Sequence, residues 1–336
     1  MTSAPRAAFV ALLPLAGCSG VQSAMGGDGA HGAGFVSLFT IFLVVTAFFY
    51  LLVIGALIAA TVRGRRSARD GKSAGEGDEP AMRRALYAWV GLTGMTLIGL
   101  TFASYFTDRA WAALGAGEQP LVIDVTANQW WWDVQYQGAA PSERLRTANE
   151  LHLPAGRPAI INLKSNDVIH SLWIPNLAGK QDLIPGRDVD LALLPRRVGQ
   201  FRSQCAEFCG AQHAHMALDV TVESPAAFAA WRQHQLAPAA EPRTPLAVAG
   251  QVYFTTRQCS MCHSIAGTTA SAQVAPDLTH FASRRSIAAG TLPMRRGNLY
   301  GWLADPQGIK PGNHMPVLSL SQHDLDSLVA YLETLS

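Results

Sequence analysis

Two long apolar runs open this chain, and a different pattern follows them. Phe35 to Val62 carries no charged residue, and neither does Ala85 to Thr107. At a helical rise of about 1.5 Å per residue, each can cross a hydrocarbon layer about 30 Å thick. The pattern predicts a transmembrane hairpin over 35–107, with helices at 35–62 and 85–107. A buried pair of soluble helices is the competing reading, but an exported soluble domain seldom needs two uncharged stretches this long. Arg63, Arg65, Arg66, Arg69, Lys72, Arg83 and Arg84 are expected in the loop between them. Short loops rich in Lys and Arg stay cytoplasmic, so everything after Asp108 is expected on the exported side.

From Leu121 the apolar positions alternate. Leu121–Val125, Ala159–Leu163, Val189–Leu193 and Ala217–Val222 read as strands, punctuated by turns at Pro154–Pro158 and Ile184–Arg187. Short strands at this spacing predict an all-β Greek-key sandwich, here over 119–224. Residues 225–245, rich in Ala and Pro, read as a short helix and a linker. Residues 246–336 return to helical spacing. Near the end, Ser321 and Asp324 form a capping pair ahead of the stripe Leu325, Leu328, Val329 and Leu332. That stretch reads as a small all-α domain.

The composition agrees with a membrane-anchored, multidomain chain: 336 residues, 49% hydrophobic and 15% charged. A net charge of +2 gives no footing for nucleic acid. Residues 1–17 read as an export signal, with Arg6 ahead of an apolar stretch and Leu15-Ala16-Gly17 before Cys18. That ending resembles a lipoprotein signal, which would make Cys18 a lipidation site and a second anchor in the bilayer. A plain signal peptide with an incidental cysteine is the alternative.

Candidate chemistry sits in two cysteine clusters. Cys259-Ser260-Met261-Cys262-His263 is the attachment pattern for c-type haem, with two thiols for the vinyl groups and His263 as an axial ligand. A redox CxxC pair is the rival reading. The second cluster is Cys205-Ala206-Glu207-Phe208-Cys209, followed by His213, His215 and Met216. Thiolates, imidazole and thioether form a soft donor set that suits copper rather than calcium or magnesium. A Cys205–Cys209 disulfide competes, although it would leave His213 and Met216 without a purpose.

The pattern Cys-x-Glu-x-Cys-x3-His-x2-Met closely resembles the binuclear copper (CuA) loop of subunit II of haem–copper cytochrome c oxidases. Asp167-Val168-Ile169-His170 through Pro175 resembles the strand that carries the family's remaining histidine, and Gln129-Trp130-Trp131-Trp132 resembles its aromatic segment. The fused haem domain resembles the caa-type branch. The resemblance implies a cupredoxin fold in which Cys205 and Cys209 bridge two coppers, with His170 and His213 each binding one. It also implies Met216 and the Glu207 carbonyl as weak ligands, and the Glu207 carboxylate on a magnesium ion beside subunit I. Trp130 would lie near the electron entry, the alternative for all three tryptophans being packing. His215 is assigned to a surface or supporting place, and His152 to an ordinary exposed one.

In the haem domain, Met315 in Gly312-Asn313-His314-Met315-Pro316 resembles the methionine loop of class I cytochromes c; Met294, His280 and His314 are the other candidates. Pro276 resembles the family proline whose carbonyl accepts from the proximal histidine. All five cysteines then have a place: one lipid, two copper, two haem. One departure stands out. Leu86 occupies the position where many proton-pumping relatives carry a glutamate, so no proton route is assigned.

The function these features imply is subunit II of a cytochrome c oxidase in a bacterial plasma membrane. A soluble cytochrome c or another exported donor would feed the haem, and electrons would pass through copper to subunit I for reduction of O2. A free-standing membrane-tethered electron carrier or copper-handling protein is the alternative. A quinol oxidase subunit would lack the copper ligands, and a nitrous oxide reductase would need room for a propeller.

Overall fold

The computed structural model describes residues 19–70, 79–112 and 119–336. The expected signal segment, Cys18 and Lys72 lie outside them. Helix α1 spans Ala30–Arg69 and helix α2 spans Glu79–Ala112, each running past the uncharged stretch it contains. Both are long and apolar enough to cross a membrane. Four of the arginines expected in the connecting loop sit instead in the last turns of α1, and Arg83 and Arg84 in the first turns of α2. Arginine is a good helix former, and cations at a C-terminus are favoured by the helix dipole, so the helix continues into water. Phe49 meets Trp89 edge to face at 5.4 Å and joins the two helices.

The β-domain is a sandwich of two five-stranded sheets. One has the order β3 (Leu145–Ala148), β2 (Trp131–Tyr136), β1 (Leu121–Asn128), β5 (Ala159–Ser165), β8 (Val189–Leu193). The other has the order β4 (Glu150–Pro154), β10 (Ala217–Glu223), β9 (Gly199–Cys205), β6 (His170–Trp173), β7 (Gln181–Leu183). Strand β1 runs parallel to β5 and β4 parallel to β10, with the remaining neighbours antiparallel. Alternation along β1 buries Leu121, Ile123, Val125 and Ala127, and along β2 Trp132, Val134 and Tyr136. These side chains interdigitate with Leu151, Ile161, Leu172 and Val220 to form one core. The segment before α1 is stitched to the same sandwich: Arg202 N–H donates to the Val21 carbonyl at 2.8 Å, and Arg197 pairs with the buried Asp28.

Helix α3 (Pro225–Gln235) follows, capped by Ser224, whose side chain accepts from the Ala227 amide. The C-terminal domain is built on α4 (Pro245–Thr256) and α7 (Gln322–Leu332), with α5 (Arg296–Ala304), α6 (Pro306–Ile309) and a small hairpin of β11 (Ser286–Ile287) and β12 (Leu292–Pro293). Ser321 caps α7 by accepting from the Asp324 amide at 3.2 Å, and Leu325, Leu328, Val329 and Leu332 are buried. Gly250 on α4 lets the helices touch: a Cβ there would sit 2.0 Å from the Ser327 carbonyl oxygen.

Candidate metal centre and haem site

Sheet register assembles the first cluster. Leu172 on β6 pairs with Cys205 at the end of β9, which places His170 on the same face, diagonal to Cys205. The chain then loops and returns as β10, with the Cys205 amide donating to the Met216 carbonyl at 2.9 Å. That closure brings Cys209, His213 and Met216 inward. His170 Nδ1 lies 3.9 Å from Cys205 Sγ, and His213 Nδ1 lies 3.6 Å from Cys209 Sγ. Met216 Sδ is 3.9 Å from Cys209 Sγ, and the Glu207 carbonyl is 3.3 Å from Cys205 Sγ. Each sulfur therefore faces one imidazole nitrogen and one weaker donor.

The two sulfurs are 3.8 Å apart, about twice the length of a disulfide bond, and both cysteines are free. The hydrogen bond from Cys209 drives Cys205 down to about 3, and that same bond, with burial, pushes Cys209 far up. Two thiolates this close cannot both ionise unless a cation stands between them. His170, Cys205 and Cys209 present donor atoms within 4.8 Å of one another, all buried. The donor set fits two soft metal ions bridged by two sulfurs.

Surrounding groups fix these donors. His170 Nε2 donates to Asp167 at 2.7 Å, so its Nδ1 is the nitrogen turned to the cluster. The other Asp167 oxygen accepts from the Gln129 amide at 2.6 Å. Trp132, fully buried, stands edge-on to the His170 ring at 6.2 Å. Trp130 Nε1 and Gln129 Nε2 both donate to the Cys209 carbonyl, at 2.9 and 2.7 Å. Gly210, at φ +112°, permits this, because a Cβ would press on the Trp130 ring at 3.0 Å. His215 stands apart from the cluster, exposed, with Nδ1 2.8 Å from the Gln212 side-chain oxygen. The Glu207 carboxylate faces solvent, 3.5 Å from Lys180 Nζ. A lone carboxylate already beside an ammonium is a poor magnesium site, so most oxygen ligands for such an ion would have to come from elsewhere.

In the haem domain, Cys259 lies within a 3-10 turn (Gln258–Met261) that Cys262 ends, with the Cys262 and His263 amides both donating to the Cys259 carbonyl. His263 Nδ1 donates to the Pro276 carbonyl at 2.7 Å, which leaves Nε2 for a metal. Burial lowers the His263 pKa and keeps the ring neutral, as a ligand must be. Gln307 and Asn313 shape the Met315 loop: Gln307 Nε2 donates to the Asn313 and Met315 carbonyls, and Asn313 Oδ1 accepts from the Met315 amide. Met261, Val274 and Val317, each within two residues of a candidate ligand or of Pro276, are strongly exposed. Such apolar surface matches a porphyrin ring. Of the other candidates, His280 has both ring nitrogens turned to the carbonyls of Ala237 and Ser336, and Met294 packs against the domain core. His314 is exposed, its ring 6.4 Å from Trp130.

One expectation is overturned. His152 is not an exposed histidine: it stacks on Trp231 at 4.1 Å, with Nδ1 3.2 Å from Glu223 and Nε2 3.7 Å from the buried Glu150. Strand β4 lies at a sheet edge, but α3 folds back over it and brings Trp231 with it. Glu150 in turn lies 3.5 Å from Arg284 of the haem domain. The supporting roles of Asp167 and Gln129 were missed although both lie inside the quoted motifs, and a histidine two or three residues from an acid is the signal that finds the first. Gln307 and Asn313 carry no such mark.

Fold and donor sets together define a membrane-anchored cupredoxin with a soft-metal donor set, followed by a c-type cytochrome domain. Residues 121–223 match the model of the cytochrome c oxidase subunit II periplasmic domain, and residues 247–336 match that of cytochrome c. Each of these two matches covers under a third of the chain, and the domains they describe imply copper and haem c. Cytochrome c oxidase subunit 2 of Alkalihalophilus pseudofirmus is 35% identical over 220 residues, covering 65% of this chain and 62% of that protein. The Bacillus subtilis protein of the same name is 32% identical over 229 residues, covering 65% and 63%. The chain thus spans somewhat under two thirds of these relatives. A solved periplasmic domain of subunit II of cytochrome oxidase from Bradyrhizobium japonicum aligns at 27% identity and TM-score 0.32, covering 34% of this chain and 92% of that one.

Proposed function

We propose that the chain is the electron-entry subunit of a cytochrome c oxidase in a bacterial plasma membrane. A soluble one-electron donor reduces the haem domain, and the electron leaves through the copper domain for a haem in subunit I, where O2 is reduced to water. The observation that carries this reading is a continuous arrangement. The Met315 loop packs on Trp130, and Trp130 bonds the carbonyl of Cys209, one of the two clustered thiols.

Cys205, Cys209, His170 and His213 would hold the copper, with Met216 and the Glu207 carbonyl as weaker donors. Cys259 and Cys262 would attach the haem, and His263 and Met315 would hold its iron. Once bound, both groups supply reversible one-electron transfer. The chain's own residues keep that transfer fast by allowing little movement. Asp167 locks the His170 ring, the Pro276 carbonyl locks His263, and the sheet register fixes both ends of the Cys205–Met216 loop. A thioether from Met315 would raise the haem potential relative to a second imidazole. Lipidation at Cys18 would add an anchor to α1 and α2.

Gentle extraction from the native membrane tests the reading. The expected preparation contains two coppers for each haem c, and a many-helix partner that carries its own haem. Haem c without copper would overturn the assignment. Haem c and copper without the partner would favour a free-standing carrier.

A further inference from the structure

Lys310, between α6 and the Met315 loop, is 2% exposed. Its ammonium donates to three backbone carbonyls: Trp130 at 2.8 Å, His215 at 2.8 Å and Ala288 at 2.9 Å. An ammonium has three N–H donors and no acceptor, so this set uses all of it. Two of the three carbonyls belong to the copper domain, one beside the aromatic segment and one in the Cys205–Met216 loop. Burial pulls the Lys310 pKa down to about 7, and three carbonyls that are satisfied together only by the charged form act the other way. The next residue adds to the contact, since Gln212 Nε2 donates to the Pro311 carbonyl at 2.8 Å.

A second observation lies at the same seam. Ala288, Ala289 and Gly290 have φ of 53°, 59° and 74°. Alanine resists that region, because its Cβ crowds the following carbonyl. The turn points three successive carbonyls outward, and each is taken. Ala288 is bonded by Lys310, Ala289 accepts from the Ala217 amide at 2.9 Å, and Gly290 accepts from Arg202 at 3.1 Å. Strain of this kind persists where the surroundings over-determine it. Two of the three partners here, Ala217 and Arg202, come from the other domain.

We propose that Lys310 is a positioning residue. It latches the haem domain onto the copper domain and holds the Gly312–Met315 loop against Trp130, so that electrons cross without a docking step. The inference rests on the proposed function for what crosses, but the latch itself uses protein atoms alone. In the step concerned, the haem side loses one electron, the copper side gains it, and no proton moves. A domain swinging on a tether would have to find its seat before each transfer, and that search slows as the solvent thickens. A latched domain has no search.

The test uses the full-length, detergent-extracted protein and Lys310→Met. Haem-to-copper transfer is followed after flash reduction by a small photogenerated reductant, in water and in glycerol, and amide exchange is followed in peptides covering Ala217 and Ala288–Gly290. The wild type is expected to transfer at a rate that glycerol leaves unchanged. Lys310→Met should keep its haem and copper absorption, transfer about 10- to 100-fold more slowly, become viscosity-dependent and lose amide protection at both seams. A viscosity-dependent wild type overturns the latch, as does a variant with wild-type rate and protection. Should Lys310→Met not accumulate, Arg202→Met removes a second bond to the same turn, and the same losses are expected on a smaller scale. If copper absorption is missing from the wild type, the proposed function fails, while amide exchange still decides the latch.

Discussion

In the copper domain the candidate ligands stand on strands and on a loop whose two ends are clamped by strands; in the haem domain they stand on turns. His170, Cys205 and Cys209 already lie within 4.8 Å of one another, with His170 braced by Asp167. Cys262 is exposed, Cys259 half-buried, and the Met315 loop is shaped by Gln307 and Asn313 rather than by a sheet. The difference follows from what each site receives. Two metal ions are small and bring no surface, so the protein must supply the whole shape in advance. A porphyrin is itself a large apolar body, so the protein can leave apolar side chains such as Met261 and Val274 for it to cover. One domain encloses its metals; the other is completed by its ring.

That contrast breaks most readily at the haem. On the proposed attachment, Cys259→Ala together with Cys262→Ala should remove the covalent link and, with it, a core-sized apolar group. The cost should be about 3–5 kcal/mol, as for loss of a large aromatic from a core, or roughly 10–40 °C in the melting of that domain. The sandwich transition should stay where it was. Cys209→Ser is the counterpart: copper absorption is expected to vanish while both melting transitions move by a few degrees at most. Differential scanning calorimetry with optical spectra reads both. If the copperless sandwich melts as early as the haemless cytochrome domain, the contrast is wrong.

A milder change separates the two centres without unfolding either. Met216→Leu conserves volume at a fully buried position, so its cost to the fold should stay under about 1.5 kcal/mol. The haem spectrum should be untouched and the near-infrared copper band altered, with slower oxidase turnover. Survival of both the band and the turnover would remove Met216 from the copper site.

The sequence was readable where chemistry is contiguous. Cys259 to His263 and Cys205 to Met216 are each one run of chain, and the four strands read from alternation are β1, β5, β8 and β10. Strand β2 hides because Trp131 and Trp132 put large apolar groups on both faces, and β9 hides because a polar residue, Ser203, takes one of its buried positions. His170 stands apart from the other donors along the chain, and only the family resemblance pointed to it. His152 was misread because an edge strand says nothing of the helix that later covers it. Lys310 was beyond reach for a similar reason: a lysine between Ile309 and Pro311 reads as a solvated loop residue, and its three carbonyls come from three distant segments.

Asp167 sharpens the comparison from the copper side. Its carboxylate holds both the His170 ring and the Gln129 amide. Asp167→Asn keeps the shape but weakens the acceptor, and should lower copper affinity about 10- to 100-fold. Competition with a chelator of known affinity measures this. An equal loss of haem attachment in the same variant would point to general misfolding instead.

The smallest effect lies at the seam between the domains and is read through pH. Burial alone would lower the His152 pKa, but its hydrogen bonds to Glu150 and Glu223 and their charges outweigh it, so the folded value stands above the ordinary 6.5. Glu150 is held below its ordinary value despite burial, by His152, Arg284 and Thr147, and so stays ionised. The folded state therefore binds the His152 proton more tightly than the unfolded chain does. This contribution to stability is fully present below about pH 6.5 and is lost as pH rises through the raised value. Melting temperature should accordingly decline across that window in the wild type. His152→Gln, which can still bond Glu150 but cannot be protonated, should flatten the decline. Because Glu150 also lies beside Arg284, the flattening should appear in the haem-domain transition as well as in that of the sandwich. A slope that persists unchanged in His152→Gln would assign the titration to another group and leave the seam insensitive to pH.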